Sequence, residues 1–122
     1  MILKISTNYL LLSSMLLISV QLDASEKEVN RKWCSAVNGE TEFRTKYGTY
    51  VDCLTSIYSV EAEYDYNWKE GIGQSLHYSE ATGKSAAILF IIREESKKDY
   101  LDELKKTIKF HNLKIKIFVI NE

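Results

Sequence analysis

The sequence predicts one small α/β domain with a mixed sheet, in the order α-β-β-β-α-β-α-β, and three observations carry that expectation. Three short extended runs follow one another between Glu40 and Tyr64, with only turn-length breaks between them. Ala86-Ala87-Ile88-Leu89-Phe90-Ile91-Ile92 is an uninterrupted apolar run of strand length, which suits a strand covered on both faces after a helical crossover. Around these runs, apolar residues recur at helical spacing. No repeat, low-complexity stretch or linker divides the chain, so a single domain is expected over residues 25–122. A composition with 45% hydrophobic and 27% charged residues argues against disorder.

Residues 1–24 read as a signal peptide. Lys4 gives a short positive start, the run from Tyr9 to Val20 is too short for a comfortable membrane span, and Ala24 supplies a small residue for cleavage. Leu22 is large for the position two before the cut, which leaves the cleavage point open. No Cys follows the apolar run, as a lipoprotein anchor would need, and an uncleaved N-terminal anchor is the alternative reading. Export places the mature domain in the periplasm or outside the cell. There Cys34 and Cys53 are expected to form a disulfide. Closing a loop of roughly twenty residues contributes on the order of 3 kcal/mol in the chain-entropy model.

Each element then has its own justification. Val29, Trp33 and Val37 recur every fourth residue, the spacing of one helix face, and Asn38-Gly39 supplies a stop. Glu40–Arg44 and Tyr50–Thr55 form a hairpin around Lys46-Tyr47-Gly48, and Ser59–Tyr64 is the third strand. Cys53 points away from Asp52, so it can tie the sheet to the first helix while Asp52 faces the other side. Asn67 with Glu70 three later resembles a capping box, with Asp65 as the competing cap, and the helix runs to about Thr82 before Gly83. Trp68, Ile72 and Leu76 make its apolar stripe. Gly71, Ser75 and Ser79 add a strip of small residues. Glycines inside a helix cost roughly 1 kcal/mol each, so Gly71 and Gly73 are expected to answer a packing need. Ser96 and Asp99 read as a second capping box before a helix that buries Tyr100, Leu101, Leu104 and Ile108. Leu113 to Ile120 is the last strand, with Lys114 and Lys116 pointing outward.

The chemistry gathers between Thr49 and Tyr78. If the second and third strands pair antiparallel, Asp52 and Glu61 lie on neighbouring strands, and Glu61 and Glu63 share one face. Gln74 and Tyr78 are stacked on one helix edge. Such a set suits a divalent cation, Mg2+ or Mn2+, which prefers oxygen ligands. The bland alternative is that these carboxylates are ordinary solvated strand residues.

Asp52, the Glu61-Ala62-Glu63 step and Gln74-Ser75-Leu76-His77-Tyr78 together resemble the PD-(D/E)XK nuclease superfamily, in the branch whose helix carries a Gln-x-x-x-Tyr motif. The chain is also similar, through Trp33-Cys34, Tyr47-Gly48-Thr49, Val51-Asp52-Cys53-Leu54-Thr55 and Thr82-Gly83-Lys84, to a group of small exported bacterial proteins of unassigned function. The resemblance implies a restriction-endonuclease-like sheet and metal-dependent cleavage of DNA or RNA. It also implies Asp52 and Glu61 as metal ligands, with Glu63, Gln74 and Tyr78 beside them. Where the superfamily places a lysine this chain has Glu63. The catalytic cation has then either moved to Lys69, the nearest candidate, or is absent.

Charge gives no nucleic-acid footprint for the chain as a whole, since its net charge is −1. Residues 93–116 carry eight Lys and Arg against five acids, which is ordinary for the solvated side of a helix. His77 and His111 stand in no recognisable nucleophile setting, and Gly71-Ile72-Gly73 lies inside a helix rather than in a phosphate-cradling loop. Two expectations remain: an exported metal-dependent nuclease with nucleic acid as its partner, and a non-catalytic binding domain on the same scaffold.

Overall fold

The computed structural model describes residues 26–122; the signal peptide expected over residues 1–24 lies outside them. Helix α1 spans residues 26–36, and strands β1 (Glu40–Arg44), β2 (Tyr50–Leu54) and β3 (Tyr58–Tyr64) follow. After a single 3-10 turn over Asp65–Asn67 come α2 (Trp68–Thr82), β4 (Ser85–Ile92), α3 (Tyr100–Phe110) and β5 (Ile115–Asn121). The five strands form one mixed sheet in the order β1-β2-β3-β4-β5. β1, β2 and β3 form an antiparallel meander, whereas β4 runs parallel to both β3 and β5. The parallel pairs need crossovers, and α2 and α3 provide them.

Strand parity sorts the core into two layers. Val60, Ala62, Ala87, Leu89 and Ile91 face α1, where they meet Val29, Trp33 and Cys34. Ile88 and Phe90 face the other way, against Trp68 of α2 and Leu104 of α3. β4 is therefore buried on both faces, as its apolar run predicts. Phe90, Ile88, Leu89 and Ile91 are each fully buried. Each such side chain contributes about 1.5–3 kcal/mol by leaving water. Lys116 stays exposed on the outer strand β5, where a charge discourages edge-to-edge pairing.

The disulfide forms between Cys34 and Cys53, with Cα atoms 5.8 Å apart. Such a bond is compatible with an extracellular or periplasmic location. Among the described residues no helix is long and apolar enough to cross a membrane. The bond explains Gly39 better than a helix stop does. Asn38, not Gly39, takes the left-handed conformation (φ 58°). A Cβ at position 39 would lie 2.5 Å from Cys53 Sγ and 2.7 Å from Cys34 Sγ.

Several local expectations need correction. Val37 falls beyond the last turn of α1 and is 40% exposed. Asn67 occupies the N-cap position of α2 without a side-chain cap bond, so the Asn67–Glu70 capping box does not form; Asp65 is instead buried, accepting from the Tyr66 N–H. The α3 cap is Asp99, whose carboxylate accepts from Asp102 N–H; Ser96 lies in the preceding loop. The buried residues of α2 are Trp68, Gly71 and Ser75, while Leu76 is 37% exposed. The helix thus turns its small-residue strip, rather than the end of its apolar stripe, toward the sheet. Gly83 ends α2 in the left-handed region (φ 72°), where it suits a C-terminal stop.

Candidate active site

The site starts from a gap in the sheet. β2 and β3 pair at Cys53–Val60 and Leu54–Ser59 and then part, leaving Asp52 and Glu61 out of the ladder. Buried backbone groups that lose ladder partners must find others, and side chains supply them. Ala62 N–H donates to Asp52 Oδ2 at 2.9 Å, and Asp52 N–H donates to Glu61 Oε1 at 3.4 Å. The Asp52 carbonyl accepts from Asn30 Nδ2 at 3.0 Å, so α1 closes the third broken contact. On the other side of β2, Glu42 of β1 adopts a left-handed conformation (φ 53°) opposite Asp52. For a residue with a Cβ that conformation costs on the order of 1 kcal/mol.

Glu61 is 4% exposed and Glu63 7% exposed. Neither is a solvated strand residue, and that removes the bland alternative for both. Burial, followed by the neighbouring Asp52 charge, pushes the Glu61 carboxyl up to about 9, and its proton bonds to Asp52. Burial pushes Glu63 up to about 8, with further repulsion from Glu26, Glu70 and Asp52. Asp52 is raised as well, again chiefly by burial, although the Ala62 N–H and the Glu61 hydroxyl partly offset it. Two strand neighbours and a helix thus enclose the cluster, in which Glu61 and Glu63 hold protons at neutral pH.

Gly71 of α2 makes this burial possible. A Cβ there would meet Glu63 Cγ at 3.2 Å and Ile88 Cδ1 at 3.4 Å. Ser75, one turn on, is fully buried and satisfies its hydroxyl on the Ile72 carbonyl at 3.0 Å. The β1–β2 turn also reaches α2: Tyr47 Oη donates to Glu80 at 2.9 Å, Lys46 Nζ lies 3.4 Å from the same carboxylate, and the Tyr47 ring stacks on His77 at 5.6 Å.

The structure brings Asp52 and Glu61 into direct contact and sets Glu63 within their electrostatic reach. It treats the helix residues differently. Gln74 is exposed and Tyr78 half-buried, and no hydrogen bond among the described residues joins either of them to the carboxylates. Lys69 is exposed, with Nζ 5.5 Å from the centre of the Trp68 ring, and its charge acts on Glu103 of α3.

Two residues of the cluster escape a reading of the sequence. Glu26 at the start of α1 accepts a hydrogen bond from the Tyr64 backbone, and burial followed by Asp52 raises its carboxyl. Asn30 is 6% exposed and holds the Asp52 carbonyl. Their signal is spacing: Glu26, Asn30 and Cys34 fall every fourth residue, so a half-cystine bonded to the sheet turns that row inward.

The donors are all hard oxygens, and Mg2+ is commonly held by one or two carboxylates with waters completing its shell, so Asp52 and Glu61 fit that cation in chemistry. Among the described residues, no group of three or more His, Cys, Asp or Glu stands in metal-ligating geometry. The convergent unit is a pair. Neither a protein-family model, nor a curated protein, nor a solved structure matches the chain.

Proposed function

We propose that this domain is an exported, metal-dependent, nuclease-like hydrolase with a restriction-endonuclease-like fold, acting on phosphodiesters of DNA or RNA. The observation that supports it is the contact of half-buried Asp52 with buried Glu61 in the gap between β2 and β3. Strongly perturbed acids gathered in one place are a mark of functional sites. Glu26, Asp52, Glu61 and Glu63 form no ion pair among the described residues, so the cluster sheds its repulsion only by taking up protons or a cation.

Asp52 and Glu61 hold the cation in this reading. When bound, a divalent ion neutralises the cluster, polarises a phosphate oxygen and lowers the pKa of a coordinated water. Glu63, on the same face of β3 as Glu61, is the carboxylate that would accept a proton from a coordinated water. Gln74 and Tyr78 on the edge of α2 orient the substrate through hydrogen bonds. A metal-titrated cleavage assay on the refolded mature domain tests the reading, with Asp52→Asn as the control that removes ligand charge at nearly constant volume. Metal-dependent cleavage of DNA or RNA, lost in that variant with the fold intact, is the expected result. A wild-type domain that binds no metal and cuts neither polymer refutes it.

The exposed position of Lys69 against Trp68 favours a second reading, a non-catalytic binding domain on the same scaffold. A stable partner bound independently of metal supports that alternative.

A further inference from the structure

Between α1 and the β1–β2 hairpin lies a cavity of about 340 Å³. Glu26, Lys27, Asn30 and Arg31 line it from the helix, and Glu42 and Asp52 line it from the strands. Asp52 is thus shared: its carboxyl bonds to Ala62 and Glu61 in the gap, and it also borders this cavity. Lys27 and Arg31 are four apart and so form a row on α1 beside the row of half-buried Glu26 and buried Asn30. Arg31 is engaged with Glu28, whereas Lys27 forms no ion pair among the described residues. The Lys27 charge draws on Asp52 across the cavity. Asn30 is 6% exposed and holds the Asp52 carbonyl at the back of the cavity through its Nδ2.

Phosphodiester cleavage needs positive charge beside the phosphate as its negative charge redistributes. Lys69 lies against Trp68 with its field on Glu103, and no ion pair among the described residues joins it to Asp52. We propose that the cavity is the phosphodiester-binding subsite of this domain and that Lys27, in place of Lys69, supplies the cation that contacts the phosphate. The inference rests on the nuclease reading for its substrate class, but the subsite stands or falls on binding alone. A phosphate entering beside Asp52 takes Lys27 as its charged partner. The carboxylate side of the cavity would hold the cation that accompanies it. The cavity therefore suits a phosphodiester bound together with a divalent ion and disfavours a bare anion.

Three variants separate the possibilities: Lys27→Ala, Lys27→Arg and Lys69→Ala, each folding normally because both lysines are exposed. The first readout is the 15N spectrum of the metal-supplemented mature domain titrated with a dinucleoside monophosphate, which carries one phosphodiester. Resonances of the Asn30 side-chain amide and the Lys27 backbone should move in the wild type and in Lys69→Ala. Lys27→Ala should bind about tenfold more weakly, with Lys27→Arg recovering most of the loss. The second readout is affinity for a fluorescent 20-base-pair DNA duplex in Ca2+ against salt. Losing one phosphate contact should lower the slope of log K on log salt by about 0.9 in Lys27→Ala alone. Shifts at Asn30 in a wild-type domain that cleaves nothing keep the subsite and refute the nuclease. Cleavage by the wild type that survives in Lys27→Ala and collapses in Lys69→Ala overturns the assignment of Lys27 and keeps the nuclease. A spectrum in which the dinucleotide leaves Asn30 and Lys27 unmoved overturns the subsite itself.

Discussion

Replacing Glu61 by Gln should stabilise the metal-free domain, and the gain should grow with pH. In the native state Glu61 is held protonated, its Oε1 accepting from Asp52 N–H while its hydroxyl donates to the Asp52 carboxylate. Gln reproduces both contacts, one with its carbonyl oxygen and one with its amide group. The difference lies in the unfolded chain, where Glu ionises and Gln cannot. The folded-state pKa of about 9 stands above the ordinary value of 4.5. Between those values the native state binds more protons than the unfolded one, so wild-type stability falls as pH rises. A single group contributes about 1.4 kcal/mol per pH unit, an upper limit near 5 kcal/mol at pH 8 and under 1 kcal/mol at pH 5. Asp52 and Glu63 share the repulsion that sets this limit, so roughly 2 kcal/mol at pH 8 is expected of the variant. Urea unfolding in EDTA at pH 5, 6.5 and 8 measures it. The midpoints of the two proteins should nearly coincide at pH 5 and separate steadily above it. A variant less stable than the wild type at pH 8, or one with an unchanged pH slope, would refute the assignment of a buried, protonated Glu61. On the proposed metal site, adding Mg2+ at pH 8 should then narrow the difference, because a cation held by Glu61 would stabilise only the protein that keeps that carboxylate.

Further expectations follow from the same contacts. Gly73→Ala should raise stability by up to about 1 kcal/mol in the same urea titration, since nothing lies within 4 Å of its added Cβ. Gly71→Ala should give no such gain, because its Cβ presses on Glu63 at 3.2 Å and on Ile88 at 3.4 Å. The double replacement of Cys34 and Cys53 by Ser should cost on the order of 3 kcal/mol, and the unreduced wild type should weigh two hydrogens less than the dithiol form by mass spectrometry. Sequencing the N-terminus of fractionated native protein should find a mature start near Ser25; an intact Met1 in the cytosol would remove the premise for export.

The elements with strong local signals are legible in the sequence. The apolar run of β4, the Gly83 stop, the β1–β2 turn and the pairing of two cysteines all follow from residue types at short range. What escapes is set by the third dimension. Leu76 reads as part of an apolar stripe, but the need to seat Glu63 under Gly71 rotates the small residues of α2 toward the sheet. The left-handed Glu42 carries no sequence mark, since neither glycine nor asparagine stands there. Asp52 and Glu61 are legible as neighbours because antiparallel pairing puts them opposite. Their burial is not, because it depends on β2 and β3 parting and on α1 covering the gap. Lys69 is nearest to the carboxylates along the chain, whereas Lys27 borders Asp52 across a cavity.

The unfavourable features of this domain are gathered in one place. An open stretch of ladder, a left-handed glutamate, half-buried Asp52 and the two buried acids Glu61 and Glu63 lie close to Cys53 on β1, β2 and β3. Each alone costs on the order of one to a few kcal/mol, and a domain of this size has only about 5–15 kcal/mol of net stability. The disulfide sits where it can offset them. Cys53 follows Asp52 directly, and Cys34 ends the α1 row that carries Glu26 and Asn30. One covalent bond therefore fixes both the strand that supplies the carboxylate and the helix that covers the gap beside it. A bond placed only for stability has no need to adjoin the strained segment. Its position predicts that reduction will loosen the carboxylate cluster before the β3–β4–β5 half of the sheet, which keeps its own uninterrupted pairing. Native-state hydrogen exchange should accordingly show protection at Asp52 and Ala62 falling on reduction while that at Ile88 and Leu89 holds. Loss of protection at both sets together would show that the bond supports the whole sheet instead of this site.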